Sequence, residues 1–134
     1  MDVEACQVLI VDDDEDLRLA LSYMLRDAGY VVCEALNGRS ALERLRRSQA
    51  GMVVLLDVRM PELDGIEMMR AVAAQEYLAR RHAYILMTAD QESLPPLFLT
   101  VLDELHVPIL AKPFDIFRAL DAVRVAQQRL TAGT

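Results

Sequence analysis

Acids, a hydroxyl and an amine recur in this chain at one kind of place, directly after a short apolar run. Asp12 and Asp13 follow residues 7–11, Asp57 follows 52–56, Thr88 follows 84–87, and Lys112 follows 109–111. A further run, residues 31–35, ends without an obvious reactive group. Together these types suit phosphoryl chemistry. Clustered carboxylates repel one another, and Mg²⁺, which takes a few carboxylates plus waters and phosphate oxygens, relieves that repulsion. Asp57 can serve as nucleophile as well as ligand, because carboxylates form aspartyl-phosphates. The Thr88 hydroxyl and the Lys112 ammonium can hold the oxygens of the transferred group, since positioning and charge neutralisation carry most of phosphoryl transfer. Neither common Gly-rich phosphate loop is present.

For these residues to meet, the runs must be neighbouring strands. Three of the five are almost continuously apolar, as parallel strands covered on both faces are, while the mixed run 31–35 suits an edge. Helical periodicity fills the gaps. Leu17, Ala20, Leu21, Met24, Leu25 and Ala28 form one stripe, with Asp14 as N-cap and Gly29 as the stop. Ala41, Leu42 and Leu45 mark a second helix over about residues 39–48, and Ile66, Met69 and Val72 a third from Gly65. The fourth follows Pro95 and Pro96, with Phe98, Val101, Leu102 and Leu105 inward and Leu97 and Leu99 off that face. The fifth, about 115–130, carries Ile116, Ala119, Leu120 and Val123. Five strands alternating with five helices predict a doubly wound α/β fold with a parallel sheet. Ligands of such sheets bind outside the carboxyl ends of the strands, where all five reactive residues fall.

Simpler roles account for other candidates. Asp14, Glu15 and Asp16 suit a helix start, and Asp64 a turn and cap before Gly65. His82 and His106 lack metal-like spacing and are expected in surface loops. Cys6 and Cys33 are too few for a disulfide framework and are expected as buried, reduced thiols.

The 134 residues fit one domain, ordered over about 5–130 with a frayed tail at 131–134. A formal net charge of −7 argues against nucleic-acid or anionic-membrane surfaces, which need a basic footprint. The first residues lack the basic region of a secretory signal and no run reaches about 20 apolar residues, so a cytoplasmic protein is expected.

With these residues in place, the chain resembles the receiver domains of two-component response regulators over essentially its full length. The carriers are Val11-Asp12-Asp13-Asp14, the segment from Leu55 through Asp57, Pro61 and Asp64 to Gly65, then Met87-Thr88-Ala89 and Lys112-Pro113-Phe114. The resemblance implies a flavodoxin-like sheet of order 2-1-3-4-5. It implies that Asp57 accepts phosphate from a histidine kinase or phosphotransfer protein. Asp12, Asp13, Asp57 and the backbone carbonyl of Arg59 would hold Mg²⁺, with Mn²⁺ able to substitute, and Thr88 and Lys112 would bind the phosphoryl oxygens. A cis bond is expected at Lys112–Pro113. A downstream protein partner would read the phosphorylated state.

One region departs from the family pattern. Ile109 stands where receivers usually carry Tyr or Phe, and Leu105-His106-Val107-Pro108 replaces the usual Gly-Ala-Asp approach. The fourth helix is expected to expose apolar surface as a contact for a second copy or a partner, and Leu19 and Tyr23 a contact for the phosphodonor. No output domain fits in this length, so a stand-alone receiver, a relay intermediate and a domain of a larger regulator remain open. Two other functions compete. An interaction module without phosphorylation is favoured only by Ile109. An Asp-nucleophile phosphatase needs a general acid two residues after the nucleophile, where Arg59 offers none near neutral pH. Arg59 and Asp90 remain as candidates for tuning self-hydrolysis of the phosphorylated state.

Overall fold

Alternation along each strand sends apolar side chains to both faces of a central sheet. The computed structural model describes residues 5–59 and 63–132. Its strands are β1 (Val8–Val11), β2 (Val32–Ala35), β3 (Val53–Asp57), β4 (Ala83–Thr88) and β5 (Ile109–Ala111). All neighbours pair in parallel, in the order β2-β1-β3-β4-β5. Val8 and Ile10 enter one core with Leu21 and Leu25 of α1 (Glu15–Asp27) and Ala119 and Val123 of α6 (Ile116–Ala132). Leu9 and Val11 enter the other. There they meet Leu42 and Leu45 of α2 (Gly38–Arg47), Met69 and Val72 of α3 (Gly65–Ala73), and Phe98 and Leu102 of α5 (Pro96–Glu104).

The caps expected from the sequence are present. Asp14 accepts the N–H groups of Asp16 and Leu17, Asp64 accepts that of Glu67, and Gly29 adopts φ +100° just past α1. The α5 helix has no side-chain cap and begins with Pro96 at its first position. A cap contributes about 1 kcal/mol, whereas burying a side chain such as Phe98 contributes about 1.5–3 kcal/mol. Packing of Phe98 and Leu102, not capping, therefore secures α5.

Among the described residues the α-helices number six rather than five. The additional one, α4 (Glu76–Arg81), buries only Leu78 and so leaves no periodic stripe. It is docked by that leucine and by the Tyr84 hydroxyl, which donates to the Leu78 carbonyl at 2.8 Å. The last helix runs through Ala132, past the end that its apolar stripe marked.

His82 corrects another expectation, for it is only 3% exposed. Its Nδ1 accepts the Met52 N–H at 3.0 Å and its Nε2 lies 3.2 Å from the Leu45 carbonyl. Those partners require a neutral ring with the proton on Nε2. Burial holds its pKa below the ordinary 6.5, against the hydrogen bond to Leu45 and with help from Arg81. His106 is exposed in a turn at φ 58°, as expected. Cys6 and Cys33 are free thiols but half-buried rather than fully buried. The Cys6 S–H donates to the Val8 carbonyl at 3.2 Å, and burial, with the neighbouring Cys33, pushes its pKa up to about 12.

Candidate functional site

The carboxyl rim of the sheet gathers the reactive residues through strand register. Asp57 is the last residue of β3 and pairs with Met87, and Thr88 ends β4 opposite Ala111 of β5. Lys112 follows β5 at once, and its backbone N–H donates to the Thr88 carbonyl at 2.8 Å. The Lys112–Pro113 bond is cis, as expected. From the other side, Asp12 leaves β1 fully buried, and its Oδ1 accepts the Asp14 N–H at 2.9 Å.

Residues a hundred positions apart thus touch. The Lys112 ammonium donates to Asp57 Oδ1 at 3.0 Å and to Asp12 Oδ2 at 3.5 Å. Carboxylate oxygens of Asp12, Asp13 and Asp57 lie within 4.8 Å of one another. A cavity of about 190 Å³ opens over Asp57, lined also by Arg59, Thr88, Asp90 and Lys112. The Thr88 Oγ1 accepts the Asp90 N–H at 3.1 Å. All of the expected site residues therefore stand at one rim. Met60, Pro61 and Glu62, which belong to the motif after Asp57, lie outside the described residues.

Electrostatics set the chemistry of this notch. Burial raises the Asp57 pKa above the ordinary carboxylate value; the Lys112 hydrogen bond opposes the rise, and the charges of Asp12 and Asp13 add to it. Burial works to lower the Lys112 pKa, but its hydrogen bond to Asp57 and the attraction of both acids outweigh that and hold the amine above its usual value. Three neighbouring carboxylates, two of them paired to one ammonium, carry a net charge of two negatives, the charge of one divalent cation. An all-oxygen donor set of this kind fits Mg²⁺.

Two supports carry no signature in the sequence. Arg18 donates from Nε to Glu34 at 3.0 Å and from a terminal nitrogen to the Asp12 carbonyl at 3.0 Å, tying α1 and β2 to the acid-bearing loop. Its partners are set only by folding. Gly65 lies so close to β3 that an added Cβ would stand 2.5 Å from the Asp57 carbonyl oxygen. The glycine after Asp64 was legible as a turn, whereas its close approach to Asp57 was not.

Comparison with known proteins agrees with this geometry. The family model for the response regulator receiver domain matches residues 8–124. Sporulation initiation phosphotransferase F of Bacillus subtilis (strain 168) is 33% identical over 122 residues, covering 88% of this chain and 90% of that protein. The C4-dicarboxylate transport transcriptional regulatory protein DctD of Rhizobium meliloti (strain 1021) is 31% identical over 125 residues, 93% of this chain, which spans only 26% of its length. A CheY-like response regulator receiver domain protein from Methanospirillum hungatei JF-1 superposes with a TM-score of 0.74 at 30% identity, covering 95% of each chain. Shared sequence along nearly the whole chain, and a shared fold beneath it, make this protein a member of the response regulator receiver domain family of two-component signalling.

Proposed function

We propose that the chain, as one receiver domain over about residues 5–130, accepts a phosphoryl group on Asp57 in a Mg²⁺-dependent reaction and relays it as a change in protein contacts. The observation that carries this reading is the Lys112 ammonium, held at 3.0 Å from Asp57 beside two further acids. Receiver domains are signalling modules that interact with histidine kinases and effector domains. The donor here is a phosphohistidine on a kinase or phosphotransfer protein, which places the reaction in the cytoplasm. Among the described residues no helix is long and apolar enough to cross a membrane.

In the transfer, an Asp57 oxygen attacks phosphorus, the P–O bond forms as the P–N bond breaks, and the departing imidazole takes up a proton. Asp12, Asp13, Asp57 and the Arg59 carbonyl would hold Mg²⁺, which supplies charge neutralisation for the phosphoryl oxygens. Lys112 neutralises one oxygen and the Thr88 hydroxyl donates to another. Arg59 and Asp90 line the cavity and are placed to affect water attack on the aspartyl-phosphate. Exposed Leu19 and Tyr23 on α1 are the proposed phosphodonor contact, and Leu97 and Leu99 on α5 a contact for a second copy or an effector.

Incubation with Mg²⁺ and a small acyl phosphate, followed by intact mass, tests the reading. A stoichiometric single-phosphoryl adduct in wild type, absent in Asp57→Asn, is expected. No adduct would make the chain an interaction module without phosphorylation, and sustained catalytic turnover would make it a phosphatase. An Asp57→Asn variant modified at the wild-type rate would show the site to be wrong.

A further inference from the structure

The amino ends of β3 and β4, on the rim opposite Asp57, carry a groove of about 630 Å³ whose described lining contains no carboxylate. That is unexpected in a chain of net charge −7. Its lining includes Arg80 and Arg81 with Tyr77 from α4, Arg129 and Gln127 from α6, and Gln49 from the loop before β3. The Arg81 guanidinium lies 5.5 Å over the Tyr77 ring and donates to the Ser48 carbonyl at 2.8 Å, and Arg129 donates to the His106 carbonyl at 3.0 Å. Neither guanidinium meets a carboxylate among the described residues. The Arg80 partner, Glu76, forms a solvent-exposed pair, which holds little of its charge back. Each arginine has five N–H donors, so the contacts to Ser48 and His106 leave several for a ligand.

A second observation concerns Gln127. Among the described residues its Oε1 is buried with no hydrogen-bond partner. Such an acceptor is costly to leave unmade, and a turn of the side chain would satisfy it from a ligand bearing an N–H or O–H group. A plain anion answers the arginines but leaves the Tyr77 ring unused. A dicarboxylate likewise leaves Tyr77 and Gln127 unused. We propose that this groove binds a nucleoside phosphate, its phosphates on Arg80, Arg81 and Arg129 and its base or sugar against Tyr77 and Gln127. The volume falls within the roughly 300–1,000 Å³ usual for small-molecule sites. The site is physically separate from the acid notch, so its failure leaves the phosphoacceptor reading intact.

Calorimetric titration of the full chain with ATP, GTP, succinate and inorganic phosphate, without Mg²⁺ and at about 0.15 M salt, decides it. At least one nucleotide should bind with a dissociation constant at or below about 1 mM. Arg81→Gln combined with Arg129→Gln should weaken it by tenfold or more, about the loss of one charge-assisted hydrogen bond. Because Arg81 also holds the loop at Ser48, Gln127→Met serves as a second probe. It should fold at least as stably, losing a buried unpaired oxygen, yet bind the nucleotide several-fold more weakly. Asp57→Asn should bind as wild type does. No binding of either nucleotide at millimolar concentration overturns the proposal. So does equal affinity for phosphate or succinate, or nucleotide binding abolished by Asp57→Asn but unchanged in the groove variants.

Discussion

At the scale of single residues, the acid notch and His82 show burial used in opposite ways. Asp12 and Asp57 are buried carboxylates that share one ammonium and stand within 4.8 Å of the exposed Asp13 carboxylate, an arrangement short of positive charge. Asp13→Asn should therefore weaken Mg²⁺ binding by at least about tenfold, the scale of one lost charge-assisted contact; the chain has no tryptophan, so calorimetry is the suitable measurement. Lys112→Ala should leave metal binding in place while impairing the response to phosphate, read as loss of the phosphorylation-dependent change in amide hydrogen exchange. His82 is buried neutral, with its folded pKa below 6.5. The unfolded chain thus binds the proton first as pH falls, so stability is full above about pH 6.5 and declines below it. His82→Phe should flatten that decline in chemical-denaturation series across pH 5–7, at a cost of about 2 kcal/mol for the unpaired Met52 N–H and Leu45 carbonyl. The position of the notch was legible because acids, hydroxyl and amine each follow an apolar run. The role of His82 was not, because both its partners are backbone groups thirty or more positions away.

At the scale of elements, periodicity located whatever presents a broad apolar stripe to the sheet. It located α1, α2, α3, α5 and α6, and the mixed run 31–35 takes the edge position as β2. It missed α4, whose single buried leucine makes no pattern, although that helix supplies Tyr77, Arg80 and Arg81 to the basic groove. Tight element contacts are equally silent in sequence. An alanine at Gly65 would bring its Cβ within 2.8 Å of the Val58 Cα as well as against the Asp57 carbonyl. Gly65→Ala should cost about 2 kcal/mol in urea unfolding, the usual scale of overpacking, and slow formation of the phosphoryl adduct by shifting the β3 end that carries Asp57. An unchanged midpoint and rate would mean that α3 can retreat without disturbing the notch.

At the scale of the whole molecule, α5 presents exposed apolar groups on a protein of net charge −7. Leu97, 81% exposed, lies at the start of α5, while Phe98 beside it is buried. Leu97→Glu should leave stability within about 0.5 kcal/mol of wild type, as surface changes do. The same change should reduce association of the phosphorylated protein with itself or with an effector. Sedimentation of both proteins after acyl-phosphate treatment checks this; two monomers of identical size with equal effector affinity would remove α5 as a contact. In the proposed relay, Ile109 of β5 is a half-buried aliphatic residue where the resembled family usually carries a ring. A branched aliphatic side chain has no large planar group to swing, so the proposed relay would rest on a shift of packed elements instead.

The order of apolar runs and stripes was enough to specify a parallel α/β sheet, and the sheet's polarity was enough to place the reactive residues at one end. Both follow from local patterning, since burial on two faces demands continuous apolar strands, and a helical crossover between each pair makes the strands parallel and brings every carboxyl end to the same rim. Folding alone decided the rest: the shared Lys112 contact with Asp12 and Asp57, the anchoring of Arg18, the buried ring of His82, and the collection of arginines around Tyr77. The Lys112 and His82 contacts join groups thirty or more positions apart, the Arg18 and Tyr77 contacts are single and local, and a contact that does not repeat along the sequence leaves no period to detect.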